Sequence, residues 1–405
     1  MNIDNKGYKM RRLIAIIAML ILPSFSSAQS TYGAIVAHPL GIELRDIKGW
    51  FANIYPWQYF PEENTVHPVL WLWDSPKWDP FKEKYIPQYQ SPAQIIEQSR
   101  QLEEYGSGAD VLEFNVCPGN PDYNQWLSTY LGRNSSRPFF VLYEHINGNC
   151  NYVEVDGAKN MDLPKNRKAF TDDIEFIIKN IVMPNKNRYV TVDGRAVIYL
   201  WAATGMTGDF ASLLQLMRNR YPVFFIGSVN VFSIPSDSNT LHNLRALDGF
   251  MEYGLVVFDK DEKGLLKPDN YMEMIRRYDA ASVAWRQKIR EFEAETRRKY
   301  IFIPTFQAAF DDTKVPGRNN PPMYPRTRAE MEHHAEVIKR RMRSPVKDDY
   351  DDVYDNLGPF VVYSEIAEGA AVIESQCLPE TMDTEERFVG CGTTRLEIVK
   401  KYFGK

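Results

Sequence analysis

Eight short apolar segments, separated by stretches with helical periodicity, constrain the fold of this chain more than any other feature. Each has the length and the β-branched and aromatic content of a buried strand. They are Val69–Trp73, Val111–Val116, Phe139–Tyr143, Ala196–Leu200, Val223–Val229, Gly249–Tyr253, Tyr300–Pro304 and Phe360–Tyr363. Such alternation is typical of parallel strands joined by crossover helices. We therefore expect an α/β fold: a single (β/α)8 barrel of the TIM type with long loops.

The stretches between the segments show the spacing of amphipathic helices. Two of them begin at a predicted N-cap, Thr171 and Asp209, and continue with apolar residues at i, i+3, i+4 and i+7. These stripes are Ile174, Ile177, Ile178 and Ile181 after Thr171, and Phe210, Leu213, Leu214 and Met217 after Asp209. A doubly wound open sheet would also fit the alternation, but no GxGxxG follows any strand. The barrel is therefore the favoured architecture.

Residues 1–28 have the pattern of a secretory signal peptide. Basic residues precede an apolar run, Leu13–Leu22, and the small residues Ser26 and Ala28 fit a cleavage site before Gln29. No later apolar run is long enough to cross a bilayer. We expect residues 29–405 to form one barrel catalytic domain that is exported, to the periplasm or the medium, with no membrane span after cleavage.

Charge and cysteine content exclude several classes of partner. The net charge of −5 argues against a nucleic-acid binder, which would present a basic surface. The four cysteines of an exported chain suggest disulfides, and the nearest pairs are Cys117–Cys150 and Cys377–Cys391. Neither a CxxC nor an HExxH motif is present. We therefore predict no metal and no cofactor.

Two glutamates follow the last predicted strand. Glu365 and Glu368 lie three residues apart, which on a helical turn places their side chains on one face, about 5–6 Å apart at Cβ. Neighbouring carboxylates cannot both ionise freely, so one becomes a proton donor and the other stays a base. This pairing is what a glycosidase uses. A pair of this spacing on a solvated helix face is the alternative, which the small apolar residues after Gly369 disfavour.

Polar and aromatic residues also follow the other predicted strands. In a barrel the carboxyl ends of the strands carry the active site. We therefore predict that a glycan substrate contacts residues at or near these ends, in the aromatic region before them and in the Asp-Asp-Thr segment described below. The predicted substrate-binding residues are Trp57, Trp73, Asn115, Tyr143, Glu144, His145, Trp201, Asn230, Glu252, Tyr253, Asp311, Asp312 and Tyr363.

The order of these motifs resembles the family 99 glycoside hydrolases and the related family 71-like proteins. Their last barrel strand ends in a Glu-Trp-His-Glu-Gly type of sequence, and Glu365-Ile366-Ala367-Glu368-Gly369 keeps both acids and the glycine. Phe310-Asp311-Asp312-Thr313 is similar to the family's Tyr-Asp-Asp-Thr segment. The exchange of Trp and His for Ile366 and Ala367 implies a substrate different from the family's α-mannosides.

The resemblance implies a retaining, endo-acting hydrolase of α-linked oligo- or polysaccharides that passes through a 1,2-anhydro sugar. Glu365 would take the proton of the 2-hydroxyl, and Glu368 would protonate the leaving oxygen and later activate water. A non-catalytic glycan-binding barrel and a polysaccharide-assembly relative of the same fold are the alternatives. Intact Glu365 and Glu368 argue against the first, and the export signal argues against the second.

Overall fold

The computed structural model describes part of the chain. It covers residues 41–54, 57–60, 65–68, 77–79, 84–86, 102–114, 131–132, 136–144, 152–155, 158–252, 271–307, 327–342, 362–363 and 394–404. At 50, 52–54, 57–60, 65–68, 77–79, 84–86, 113, 341–342, 362–363 and 394–395 only the backbone is described. All of these residues belong to one compact unit, Gly41–Lys405.

Seventeen strands are present in this part of the chain. They are β1 (Ile42–Glu43), β2 (Trp50–Ile54), β3 (Trp57–Phe60), β4 (Thr65–Pro68), β5 (Lys77–Asp79), β6 (Lys84–Ile86), β7 (Ser107–Phe114), β8 (Phe139–Tyr143), β9 (Lys159–Asn160), β10 (Val190–Val192), β11 (Arg195–Leu200), β12 (Met206–Thr207), β13 (Val223–Val229), β14 (Gly249–Glu252), β15 (Ile301–Ile303), β16 (Thr305–Phe306) and β17 (Val362–Tyr363).

One curled sheet of mostly parallel strands organises the fold. Its strands pair in the order β15-β14-β13-β11-β8-β7-β2-β17-β16, and every ladder along this path is parallel. Strands β1 and β10 extend the sheet beside β11, with β10 antiparallel to β11. Three small two-stranded sheets, β3–β4, β5–β6 and β9–β12, lie outside this path.

The two ends of this strand order belong to one stretch of chain, Ile301–Phe306. Its first half, β15, pairs with β14, and its second half, β16, pairs with β17. Pro304 separates the halves and has no N–H to donate to a ladder. The next N–H, that of Thr305, donates instead to Oε2 of Glu252 at 2.9 Å, while Thr305 Oγ1 donates to the Glu252 carbonyl oxygen at 2.5 Å.

Alternate residues of each strand face the helices and the inside of the curled sheet. Phe225 of β13 contacts Phe170, and Phe250 of β14 contacts Trp285, both on covering helices. Residues of the opposite parity meet inside, where Phe51 of β2 packs edge to face on Phe140 of β8. Side chains alternate between the two faces along a strand, and paired residues of neighbouring strands share a face. These contacts therefore show which face each residue of the paired strands takes.

Six α-helices cover the sheet in the described part of the chain. They are α1 (Pro164–Ile177), α2 (Phe210–Arg220), α3 (Ser238–Arg245), α4 (Tyr271–Thr296), α5 (Arg328–Met342) and α6 (Thr394–Phe403). The predicted cap Asp209 is confirmed: its side chain accepts from Ser212 N at 3.1 Å. The predicted cap Thr171 is wrong. Helix α1 begins earlier because Pro164 is preorganised for the first helical position, and Thr171 Oγ1 bonds to Arg167 O within the helix.

Both predicted apolar stripes are buried, as expected. The first predicted strand differs from the observed one, because β2 and not Val69–Trp73 occupies the place between β17 and β7. Residues 69–73 lie outside the described residues, as do residues 1–28 and all four cysteines, so the signal peptide and both disulfides stay predictions. None of the described helices has the length and apolar character needed to cross a membrane.

An ion cluster joins strands and helices where β13 begins. Asp248, only 5 % exposed, accepts from Arg195 Nη1 at 3.1 Å, Arg298 Nη2 at 2.8 Å and Arg218 Nη2 at 2.7 Å. It also accepts from the backbone N–H of Phe225 at 2.9 Å. Because these donors come from β11, α2, β13 and the segment after α4, one carboxylate ties four parts of the chain together.

We expect Asp248→Ala to lower the free energy of unfolding by roughly 3–5 kcal/mol, because removing one partner of a buried ion pair leaves the other charge uncompensated. Denaturant unfolding followed by circular dichroism measures this change. Glu273→Ala, which removes a carboxylate that bridges Arg276 and Arg277 on the surface of α4, is the control. It should have a much smaller effect because water screens exposed pairs. Equal losses in the two variants would contradict the structural role of Asp248.

Candidate functional site at the carboxyl ends of the strands

The structure describes five of the predicted site residues with their side chains: Tyr143, Glu144, Trp201, Asn230 and Glu252. Trp57 lies in β3 and Tyr363 in β17, and for these two only the backbone is described. The remaining predicted site residues lie outside the described residues: Trp73, Asn115, His145, Tyr253, Asp311, Asp312, Glu365 and Glu368.

Glu144 and Trp201 lie side by side at the carboxyl ends of β8 and β11. The Glu144 N–H donates to Phe114 O at 3.0 Å, and the Trp201 N–H donates to Tyr143 O at 3.1 Å. These bonds continue the ladders one residue beyond the strands. Tyr143 faces helix α1, where its ring contacts Phe170, so Glu144 and its neighbour Trp201 occupy positions on the inner face. Glu144 is buried and Trp201 is partly exposed.

The chain turns sharply directly after Trp201. Ala202 has φ 44° and ψ 46°, the left-handed conformation, which costs an alanine of order 1 kcal/mol or more. Gly205 N donates to Ala202 O at 2.8 Å and closes the turn. A strained residue of this kind persists only where its surroundings hold it, and such residues concentrate at functional sites. This turn fixes where the strand ends and therefore where Trp201 is presented.

Two inner-face residues near Glu144 and Trp201 were not predicted as site residues. Tyr199 pairs in register with Leu142 and Ile226. Ser228 pairs with Met251, and its inner-face position follows from the contact of Phe225, three residues earlier, with α1. Both are buried and both bring a hydroxyl to the inner face. The signal was available in the sequence, because they lie at even spacing from Trp201 and Asn230 along their strands.

Asn230 follows β13 and shapes the next turn. Its Oδ1 accepts from the backbone N–H of Phe232 at 3.0 Å, and its carbonyl oxygen accepts from Ser233 N at 3.1 Å. The same carbonyl oxygen accepts from Trp285 Nε1 of α4 at 3.3 Å. The residue is exposed. Asn230 therefore holds the loop at the carboxyl edge of the sheet, two residues beyond Ser228.

Tyr143 faces the helices. Its hydroxyl donates to Oδ2 of Asp173 on α1 at 2.5 Å and lies 2.7 Å from the Tyr152 hydroxyl. All three groups are buried. Burial raises the pKa of Asp173 to about 7, and the hydrogen bond from Tyr143 offsets part of that rise. The side chain therefore lies away from the inner face on which a glycan contact was predicted.

Glu252 also faces the helices, since it has the same parity in β14 as Phe250, which packs on α4. Its carboxylate is buried against α4 beside Thr305. Burial raises the pKa of Glu252 to about 8, although the Thr305 N–H, the Tyr278 hydroxyl and the Arg286 charge favour the ionised form. This carboxyl therefore holds the break at Pro304, and the predicted glycan contact would need another orientation.

Two of the five described candidates, Glu144 and Trp201, therefore lie on the inner face at the carboxyl end of the sheet, beside Tyr199 and Ser228. We call these four residues the inner edge. The edge offers a carboxyl group, hydroxyls and an indole, which suit the polar edges and apolar faces of a sugar. Among the described residues no group of three or more His, Cys, Asp or Glu is arranged to hold a metal ion.

Two solved structures have similar folds. One, described as a glycoside hydrolase-like protein, is 13% identical in sequence with a TM-score of 0.53, over 88% of this chain and 95% of that one. The other, the GH99 endo-alpha-mannosidase from Bacteroides thetaiotaomicron in complex with BIS-TRIS-Propane, is 15% identical with a TM-score of 0.50, over 79% of this chain and 85% of that one. The chain therefore has a glycoside-hydrolase-like fold. No protein-family model matches it, and no curated protein matches it.

The buried carboxyl of Glu252 gives a pH prediction. A carboxyl whose pKa is raised in the folded protein binds its proton more tightly there than in the unfolded chain. The stability that protonated Glu252 contributes is therefore lost as the pH rises from about 4.5 to about 8. The free energy of unfolding falls over this range by at most about 1.4 kcal/mol per pH unit. Glu252→Gln, which keeps an acceptor for Thr305 N, should flatten this slope in urea unfolding measured across that range.

The control for this measurement is Glu291→Gln on the same helix-rich side of the protein. Glu291 is exposed, and its hydrogen bond from Lys288 lowers its pKa below the ordinary value. Because its pKa is lowered and not raised, Glu291→Gln should not flatten the loss of stability toward high pH. An unaltered slope in Glu252→Gln would show that Glu252 titrates in the folded protein as it does in the unfolded chain.

Proposed function

We propose that this protein is a glycoside hydrolase that cleaves an α-linked oligo- or polysaccharide by a retaining, endo-acting mechanism with two glutamates. The observation that carries the proposal is the position of β17. It pairs in parallel with β16 and β2, in a sheet whose fold is similar to that of an endo-alpha-mannosidase. The Glu365-x-x-Glu368 motif follows β17 directly in the sequence.

The sheet supports a complete barrel of eight parallel strands as part of this proposal. Counting Ile301–Phe306 as one strand, the strand order is compatible with eight barrel positions: β2, β7, β8, β11, β13, β14, β15 with β16, and β17. In such a barrel the carboxyl ends of all eight strands meet at one mouth. Glu365 and Glu368 would then share that mouth with Glu144 and Trp201.

In the proposed mechanism Glu365 removes the proton of the sugar's 2-hydroxyl, and the resulting oxygen attacks the anomeric carbon. Glu368 gives its proton to the glycosidic oxygen as that bond breaks, which leaves a 1,2-anhydro sugar and a released alcohol. Glu368 then takes a proton from water, and the water oxygen attacks the anomeric carbon and opens the three-membered anhydro ring. Glu365 returns its proton to the 2-oxygen in the same step. Two inversions at one carbon retain the configuration.

The inner edge supplies the glycan contacts. Trp201, partly exposed, offers a flat apolar face for the C–H face of a sugar ring, and buried Glu144 offers acceptors for ring hydroxyls. The other predicted contacts, from Trp57, Trp73, Asn115, His145, Tyr253, Asp311, Asp312 and Tyr363, complete the proposed cleft. The proposal includes export of residues 29–405, since a polysaccharide is met outside the cytoplasm.

The deciding experiment compares Glu368→Gln and Glu365→Gln with the wild type on a panel of α-glycans, with products read by mass spectrometry. Glu368→Gln cannot protonate the leaving oxygen, so turnover should fall by about 10²–10⁴-fold. The fall should be smaller for aryl glycosides, whose leaving groups need little protonation. Glu365→Gln should slow both substrate types, because its proton transfer serves the attack itself.

Glycan binding by the two variants is the control for folding and separates the alternatives. Retained binding with lost turnover supports the hydrolase. A wild-type protein that binds glycans but releases no product would favour the non-catalytic binding barrel. Rates unchanged by either substitution would refute the assignment of both glutamates.

Trp201 gives a separate test of the binding edge. Trp201→Ala should weaken glycan binding by about 0.5–1.5 kcal/mol, since the stacking face is lost, with a smaller effect for Trp201→Phe, which keeps a ring. Isothermal titration with an unhydrolysed oligosaccharide measures the change. A Trp201→Ala protein that is folded and binds the oligosaccharide as tightly as wild type would show that the sugar does not stack here.

A further inference from the structure

A buried hydrogen-bond chain lies directly behind Glu144. The Tyr143 hydroxyl donates to Asp173 Oδ2 at 2.5 Å and lies 2.7 Å from the Tyr152 hydroxyl. When Asp173 is ionised, Tyr143 gives its only proton to the carboxylate, so Tyr152 must be the donor to Tyr143. The chain therefore joins the carboxyl end of β8, the segment 152–155 and helix α1.

Helix α1 holds the segment 152–155 at a second point. Buried Asn166 accepts from Val153 N at 2.7 Å through Oδ1 and donates to Val153 O at 2.9 Å through Nδ2. It also donates to Asn160 O at 2.9 Å. Asn166 and Asp173 lie seven residues apart on α1, which places them on one face of the helix. This face fixes the chain on both sides of residues 145–151, which include the predicted site residue His145.

Asp173 is a buried carboxyl without a cationic partner in the part of the chain that the structure describes. Among the described residues it forms no ion pair, and its polar partner is a neutral hydroxyl, whereas buried Asp248 and Asp110 are paired with arginines. A buried carboxyl without a cation is costly to retain. Buried Glu252, which also accepts from an uncharged donor, holds the strand break at Pro304, so we ask which part of the backbone Asp173 holds.

Tyr143 and Glu144 are consecutive residues at the end of β8. The Tyr143 carbonyl oxygen accepts from Trp201 N, and the Glu144 N–H donates to Phe114 O. With its ring hydroxyl held by Asp173, Tyr143 cannot rotate or slide along α1. The backbone that carries Glu144 is therefore fixed from the helix side as well as from both neighbouring strands.

We propose that Asp173 is a positioning residue of the active site: through Tyr143 it fixes Glu144 and Trp201 at the inner edge, and through Tyr152 it fixes the chain beyond residue 151. This inference rests on the proposed glycosidase function and adds to it a residue that no part of the mechanism uses. Asp173 itself touches neither substrate nor the reacting atoms.

Burial raises the pKa of Asp173 to about 7, which gives the positioning role a signature in the pH profile. The ionisable groups that face it among the described residues are Tyr143 of β8, Tyr152 of the segment 152–155, and Asp172 on its own helix. Tyr143 and Tyr152 stay protonated near neutral pH, because burial raises the pKa of each well above its ordinary value. Asp173 is thus the member of this cluster that titrates near neutral pH.

The test compares Asp173→Ala, Asp173→Asn and Tyr152→Phe with the control Asp172→Asn. Asp172 is the exposed neighbour on α1, paired with Lys168. Asp173→Ala should lower kcat on an α-glycan by about 10–100-fold per folded molecule, because small displacements of site groups cost up to about 10²-fold. Asp173→Asn, whose amide oxygen still accepts from Tyr143, should restore most of the rate and remove one ionisation from the pH profile. Asp172→Asn should keep the wild-type kcat and retain the ionisation of Asp173, moved to slightly lower pH because the Asp172 charge adds to the rise in the pKa of Asp173.

Hydrogen–deuterium exchange of the same proteins supplies a readout independent of activity. Asp173→Ala and Tyr152→Phe should speed exchange in peptides covering 139–155, with no change in peptides from helix α4.

If the wild type hydrolyses glycans and folded Asp173→Ala matches its kcat, KM and pH profile, Asp173 is structural only and the inference is wrong. If the wild type hydrolyses nothing, the proposed function fails and hydrogen–deuterium exchange decides whether Asp173 positions the end of β8. Exchange in Asp173→Ala that is unchanged from wild type, or faster throughout the protein, would overturn the inference. If Asp173→Ala fails to fold, Tyr152→Phe and the pH profile of Asp173→Asn give the same decision.

Discussion

The hydrogen bonding of one strand, Ile301–Phe306, is the constraint on which the rest of the fold depends. This strand pairs with β14 along its first half and with β17 along its second, so it changes partner within six residues. Pro304 makes the change of partner possible because it has no N–H to leave unsatisfied. Glu252 then accepts the next N–H along the chain. A buried carboxyl is thus the consequence of the change of strand partner at Pro304.

Much of the architecture could be predicted from the sequence because strand and helix signals are local. The apolar runs at Phe139–Tyr143 and Val223–Val229 are strands with the predicted bounds, and Asp209 caps its helix. The first strand was missed because Trp50–Ile54 includes Ala52 and Asn53 and competes with a more apolar run at Val69–Trp73. Local composition favoured the wrong run, whereas pairing with β7 and β17 favours the observed one.

The candidate site could be predicted only in part, because the position of a strand end does not say which face its last residue takes. Glu144 and Trp201 lie one residue beyond their strands and have inner-face parity, whereas Tyr143 and Glu252 are the last residues of theirs and face α1 and α4. Knowing that required contacts such as Phe250 on Trp285, which join residues far apart in sequence. The same contacts identify Ser228 and Tyr199. The roles of Glu365 and Glu368 rest on the sequence and on the backbone of β17.

The chain of Tyr152, Tyr143 and Asp173 has a direction as well as a geometry. With the carboxylate ionised, both hydroxyl dipoles point toward α1. With Asp173 protonated, the acid O–H becomes a further donor, so Tyr143 can accept from it and donate to Tyr152, the opposite direction, without any heavy atom moving. One proton on one side chain thereby removes the charge that orients the hydroxyl dipoles at the end of β8. The protein can thus change the electrostatic surroundings of Glu144 while its packing stays the same.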